Sequence, residues 1–192
     1  MDFNHIPVLY EECMENLSIK EDGIYVDGTL GGGGHSFGIG SRLTDKGLLI
    51  GIDRDGDAIN AAKKKLDKLK CPIIFVRDNY SNIKKILREN DISGIDGALL
   101  DIGVSSFQLD NADRGFSYMH DAPLDMRMDR DDTFTAYDVV NSYDKKQLTA
   151  IIKNYGEERW ASRISDFIVR KRADKKIETT GELVELIKAA IP

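Results

Sequence analysis

Residues Tyr25-Val26-Asp27-Gly28-Thr29-Leu30-Gly31-Gly32-Gly33-Gly34-His35-Ser36 place five glycines within seven positions, directly after an apolar run. Such a stretch lets the backbone turn sharply out of a strand and approach another group where any Cβ would clash. A second apolar run, Leu48 to Asp53, ends in a carboxylate about twenty residues further on, a spacing suited to holding ribose hydroxyls.

The details of the loop narrow the ligand. A pyrophosphate-binding loop requires G-x-G-x-x-G, which no register from Gly28 to Gly40 supplies, and a P-loop requires Gly-Lys-Ser/Thr, whereas His35 follows Gly34. A nucleoside without phosphates that carries an amino-acid tail fits better, and S-adenosylmethionine is such a molecule. The alternative is a tight strand-to-helix turn with no ligand. Four consecutive glycines are a wasteful way to build one, because each adds entropy to the unfolded chain.

From Gly23 to Val104 short β-branched runs alternate with helical stretches, the pattern of a parallel sheet covered by helices on both faces. Strands are expected at Ile24 to Asp27, Leu48 to Asp53, Ile73 to Val76 and Gly97 to Ile102, each ending at or near a carboxylate: Asp27, Asp53, Asp78 and Asp101. Open α/β sheets bind ligands at the carboxyl ends of their strands. Ala58, Ala62, Leu66 and Leu69 form the stripe of a covering helix, with Asp55 and Asp57 at its positive start. Ser81 is expected to cap a further helix carrying Ile83, Ile86 and Leu87, and Pro7 to open one running to Leu17.

After Ser106 the pattern changes to an irregular acidic stretch and then to helices alone. Leu148, Ile151 and Ile152 mark one apolar face, Trp160, Ile164, Phe167 and Ile168 another, and Thr179 with Glu182 forms a capping box before Leu183 and Leu186. The expected fold class is therefore α/β, with a sheet-bearing domain over residues 1–107 and a helical domain over 108–192. Four strands are fewer than the roughly six of a doubly wound sheet. The helices are then expected to be an insertion before the sheet resumes, or else to cap a smaller sheet.

Composition restricts the remaining possibilities. No segment has the apolar length of a membrane helix, and Met1 to Leu17 has neither a basic start nor an apolar run, so a cytoplasmic location is expected. Two distant cysteines and three scattered histidines indicate neither a disulfide framework nor a metal site. Asp125, Asp129, Asp131 and Asp132 lack the glycine turn and terminal Glu of a calcium loop, which favours a solvated or Arg-paired loop. The net charge is -6, yet Lys145 to Lys176 holds ten Lys or Arg against four Asp or Glu. That segment is read either as a local phosphate-binding surface or as a solvated helix face.

Three further blocks are long and ordered: Asp101-Ile102-Gly103-Val104-Ser105-Ser106-Phe107-Gln108-Leu109-Asp110, Arg114-Gly115-Phe116-Ser117, and Pro123-Leu124-Asp125-Met126-Arg127-Met128-Asp129. With His5-Ile6-Pro7-Val8-Leu9, Gly31 to Ser36 and Tyr155-Gly156-Glu157-Glu158, they closely resemble the bacterial small-subunit ribosomal RNA cytosine N4-methyltransferase family. The resemblance implies a Rossmann-like class I methyltransferase sheet with an inserted helical domain. It also implies methyl transfer from S-adenosylmethionine to the exocyclic amine of a cytidine in small ribosomal subunit RNA. By the same resemblance Gly33, Gly34 and His35 hold the methionine part of the cofactor, Asp53 the ribose and Tyr80 the adenine, while Asp101 and Gln108 complete the pocket. Phe107 departs from the pattern, standing where many relatives are expected to carry proline, which would fix φ.

For the chemistry, Asp101 is the candidate acceptor of an amine hydrogen, with a backbone carbonyl as the alternative because a D-P-P-Y motif is absent. Phe116 or Tyr118 could stack on a splayed base, and Lys171, Arg172, Lys175 and Lys176 could anchor phosphates. Two rival readings are an NAD-dependent oxidoreductase, which would need the missing dinucleotide loop, and a catalytically empty RNA-binding fragment.

Overall fold

The computed structural model describes residues 7–192, apart from the side chains of Ser106 and Phe107, so His5 and Ile6 of the N-terminal motif lie outside the described residues. The chain divides into two compact units, Met1–Ser105 and Ser106–Pro192.

The first unit is built on four parallel strands, β1 (Ile24–Asp27), β2 (Leu48–Asp53), β3 (Ile73–Arg77) and β4 (Gly97–Leu99), in the order β3-β2-β1-β4. This is the Rossmann-like arrangement, with β1 central. Successive strand residues point to opposite faces, and here both faces are covered. Tyr25 and Leu49 join Met14, Ile39 and Leu43 on one side, while Val26, Ile50 and Ile52 meet Ile86 on the other. Side chains of this size each contribute about 1.5–3 kcal/mol when fully buried, which is why these strands read as unbroken apolar runs rather than alternating ones.

The covering helices are α1 (Tyr10–Leu17), α2 (Gly34–Gly40), α3 (Gly56–Leu66) and α4 (Ile83–Glu89). Asp55 caps α3 by accepting the Asp57 N–H at 3.0 Å, and Ala58, Ile59, Ala62 and Leu66 form its buried stripe. Three expectations need correction. Pro7 does not open α1, because Leu9 turns into the left-handed region (φ 51°) and the helix starts at Tyr10. Ser81 is not the cap of α4, whose N-cap residue is Asn82: Asn79 accepts the Ser81 N–H at 2.9 Å and caps a 3-10 turn, Tyr80–Asn82, that leads into α4. The fourth strand stops at Leu99 rather than Ile102. Its partner β1 ends at Asp27, paired with Leu99, and beyond that rung the Asp101 N–H turns to the Thr29 side chain instead.

The second unit is helical: α5 (Ser106–Asp110), α6 (Ala136–Ser142), α7 (Lys145–Asn154), α8 (Ala161–Asp174) and α9 (Thr180–Ala190). Its core gathers Leu124, Val140, Leu148, Ile164, Ile168 and Ile177. Thr135 with Asp138 and Asp144 with Gln147 form reciprocal capping boxes at α6 and α7. At α9 Thr179 accepts the Glu182 N–H at 3.2 Å, while the Glu182 carboxylate reaches back to the Glu178 N–H at 2.7 Å and to Lys175 Nζ at 2.7 Å.

The acidic stretch is held by arginines. Arg127 forks onto Asp125 at 2.9 and 2.6 Å, and its Nη1 donates to the carbonyls of Arg130 and Asp132. Arg114, 2% exposed, donates to the carbonyls of Arg127 and Met128. Among the described residues no group of three His, Cys, Asp or Glu side chains is placed to hold a metal ion, and no helix is long and apolar enough to cross a membrane.

Candidate functional site

Because all four strands run the same way, their carboxyl ends gather Asp27, Asp53, Asp78 and Asp101 at one edge of the first unit. The glycine loop lies there between β1 and α2, fastened at several points. Asp27 Oδ1 accepts the Thr29 N–H at 3.2 Å, and Oδ2 accepts the Ser36 hydroxyl at 2.7 Å. The Leu30 N–H donates to the carbonyl of Ile52, and Asp53 Oδ2 accepts the Gly31 N–H at 2.8 Å. Asp53 Oδ1 takes the Asp55 N–H at 2.9 Å, so the same carboxylate also tightens the turn into α3.

Burial is the main cause that raises the carboxyl groups of both Asp27 and Asp53 above their ordinary range. The hydrogen bonds just described oppose that shift without reversing it. Asp27 is fully enclosed, whereas Asp53 is half-buried and keeps an accessible side.

The glycines of the loop have separate reasons to be glycine. Gly31 and Gly33 adopt φ values of 49° and 77°, a region other L-residues avoid. At Gly33 a Cβ would also press on Ala62 of α3, 3.3 Å away. At Gly34 it would sit 2.5 Å from the Pro7 ring. At Gly28 it would strike Leu100 at 2.4 Å and approach the Tyr80 Cβ at 3.1 Å. Gly31 differs from these, because a Cβ there would meet only the Thr29 carbonyl at 3.9 Å. The open side of the loop is thus at Gly31, next to Asp53.

Each residue singled out from the sequence can now be placed. Gly33, Gly34, Asp53, Tyr80 and Asp101 all lie around this edge in the first unit. Tyr80 begins the turn after β3, with its Cβ beside Gly28. Asp101 is exposed just past β4, and its N–H donates to Thr29 Oγ1 at 2.7 Å. His35 is buried; its Nε2 lies 3.0 Å from the Val8 carbonyl and its ring stacks on Tyr10 with centroids 6.2 Å apart. Its side chain therefore secures the segment before α1. Gln108 is buried at 5% exposure within α5 of the second unit.

In the second unit the basic segment separates into engaged and open groups. Arg172 donates to the carbonyls of Val140 and Tyr143 at 2.6 and 2.5 Å, Lys175 pairs with Glu182 at 2.7 Å, and Lys176 Nζ lies 3.5 Å from the Asn141 carbonyl. Lys171 is exposed, as are Lys146 and Lys153 on α7. Phe116 sits beneath the Arg114 guanidinium, 5.9 Å from its ring centroid, while Tyr118 is 77% exposed.

Asp27, expected only as one of four carboxylates at the strand ends, and Thr29 and Ser36, which the sequence does not single out, set the shape of the loop. The signal available was a pair of hydroxyl residues two and nine positions after a strand-ending aspartate.

The sequence profile described as the MraW methylase family matches residues 2–192. A protein of Clostridioides difficile (strain 630) named "Ribosomal RNA small subunit methyltransferase H" is 59% identical over the whole chain, and one of the same name from Clostridium botulinum (strain Loch Maree / Type A3) is 58% identical. The chain spans 62% of the length of each of these relatives.

Proposed function

Because the chain belongs to the MraW methylase family, we propose that it is the S-adenosylmethionine-binding part of an enzyme that methylates the exocyclic N4 amine of a cytidine in small-subunit ribosomal RNA. The observation that carries this reading is the pairing of Asp53 with the Gly31 N–H beside the open side of the glycine loop.

The residues present fit this cofactor. Asp53 is anchored through backbone donors and retains lone pairs for ribose hydroxyls; Tyr80, whose Cβ lies beside Gly28, carries the ring assigned to the adenine; and the bare loop at Gly31 leaves room for an amino-acid tail. A dinucleotide lacks the loop it would need, which disfavours the oxidoreductase reading. The cofactor supplies a methyl group already activated by its sulfonium.

The protein's task is then alignment, which removes several kcal/mol of barrier when the reacting atoms are held in line. Asp101, on the edge that carries the loop, accepts a hydrogen of the cytosine amine and takes up the charge that develops there. Tyr118, exposed in the helical unit, offers an aromatic face on which an RNA base can stack. Lys171, with Lys146 and Lys153, meets phosphates; Arg172 and Lys175 are engaged within the helical unit, so they are removed from that role. The helices from Ser106 onward carry the RNA-binding surface.

Calorimetric titration with S-adenosylmethionine and with NAD, on the wild type and on Asp53→Ala, tests the cofactor. Binding of S-adenosylmethionine alone, weakened at least about tenfold by the substitution, supports the reading; NAD binding, or unchanged affinity in the variant, overturns it. Transfer of labelled methyl groups to small-subunit RNA, with the modified nucleoside identified by mass, tests the acceptor.

A further inference from the structure

We propose that Thr29 is a positioning residue whose hydroxyl fixes Asp101 relative to the glycine loop. This rests on the methyl-transfer reading above. The ladder between β1 and β4 ends with the Gly28 N–H on the Leu99 carbonyl at 2.9 Å. Asp101 lies two residues beyond that rung and is exposed, so no strand neighbour orders it. Its backbone is held instead by Thr29 Oγ1, which accepts the Asp101 N–H at 2.7 Å.

Thr29 is itself fixed from the other side. Its N–H donates to Asp27 Oδ1, and Asp27 is locked by the Ser36 hydroxyl at the start of α2. A continuous path therefore runs from Ser36 through Asp27 and Thr29 to Asp101, linking the loop that would hold the methyl donor to the carboxylate that would receive the amine hydrogen. Threonine suits this position. Its β-branch restricts χ1, so the oxygen has few other places to point, and the hydroxyl accepts from Asp101 while keeping its own hydrogen free.

Thr29 is half-buried, so packing must be separated from hydrogen bonding. Thr29→Val keeps the shape and removes the acceptor; Thr29→Ser keeps the acceptor and removes a methyl. Three quantities are compared among the wild type and both variants, all as full-length protein: exchange of the Asp101 amide followed by NMR, affinity for S-adenosylmethionine, and kcat and KM with small-subunit RNA. In Thr29→Val the Asp101 amide is expected to exchange about tenfold faster and kcat to fall about tenfold, with cofactor affinity within about twofold. Thr29→Ser is expected to restore both exchange protection and kcat.

Unchanged exchange at Asp101 in Thr29→Val overturns the proposal, as does a loss carried wholly by cofactor affinity or a folded Thr29→Ser variant that behaves like valine. A wild type inert toward S-adenosylmethionine overturns the methyl-transfer reading and this role together. An active wild type unaffected by Thr29→Val overturns this role alone.

Discussion

The Ser36 hydroxyl donates to Asp27 Oδ2 at 2.7 Å, and both residues are essentially sealed from solvent, at 0% and 1% exposure. One carboxylate thereby joins the end of β1 to the first turn of α2 and encloses the glycine loop between them. Burying an acid there raises its proton affinity, with the Ser36 and Thr29 donors and the nearby His35 acting in the opposite direction and Asp53 adding to the rise.

This link predicts a pH signature. The folded-state pKa of Asp27 lies above its ordinary 3.8, so folding binds the proton more tightly than the unfolded chain does. Its contribution to stability is greatest below 3.8 and is lost as pH rises through the folded value. The stability of the wild type relative to Asp27→Asn should therefore decline as pH rises from 3.8 through the neutral range. Denaturant unfolding of both proteins across that range checks it, and a flat difference contradicts it. Ser36→Ala, which strips a buried carboxylate of its hydroxyl donor, should cost about 1–3 kcal/mol.

Two glycines of one loop should respond differently to alanine. Gly31→Ala forces an L-residue into the left-handed region at about 1–2 kcal/mol and places a methyl on the open side, so S-adenosylmethionine affinity should fall. Gly34→Ala drives a methyl into the Pro7 ring, so the segment from Pro7 to Tyr10 should lose hydrogen-exchange protection. Identical exchange maps for the two variants would contradict this assignment.

Glu182 should make α9 sensitive to acid. Its carboxyl is held down to about 2, first by the Glu178 N–H and then by Lys175, from an ordinary value of 4.5. A lowered acid stabilises the fold above the unfolded value, and that contribution is lost as pH falls from 4.5 toward 2. Glu182→Gln should lower the melting temperature at neutral pH, with the gap to wild type closing in acid. A gap that persists at the lowest pH would show that the carboxylate charge is not the cause.

Arg172 and Lys171 are neighbours with opposite expected phenotypes. Arg172→Ala leaves the carbonyls of Val140 and Tyr143 without their donor and should destabilise the helical unit by about 1–3 kcal/mol. Lys171→Ala should leave the melting temperature alone, weaken RNA binding and reduce the slope of log affinity against log salt by about one. Equal salt slopes for Lys171→Ala and the wild type would remove it from the phosphate surface.

The sheet was readable because its signals are local: apolar runs of strand length, each closing on an aspartate, with helical stripes between them. The same holds for Asp53, whose spacing from the glycines follows from the strand-turn-helix unit. Less accessible was the reason for each glycine. Gly34 is glycine because of Pro7, a contact across 27 residues of chain, and His35 serves the Val8 carbonyl rather than an open ligand face. The basic segment is only partly legible for a related reason. Sequence reports charge, but not that Arg172 and Lys175 are already engaged by carbonyls and Glu182. β4 was overextended because strand length depends on the partner, and β1 is only four residues long.

The seat of Pro7 against Gly34 has a practical corollary for anyone handling this protein. Through this contact the ring of Pro7 bears directly on the bend that would cradle the adenosyl ligand. Substitutions at Pro7 are therefore not a neutral background against which affinities of the loop can be compared.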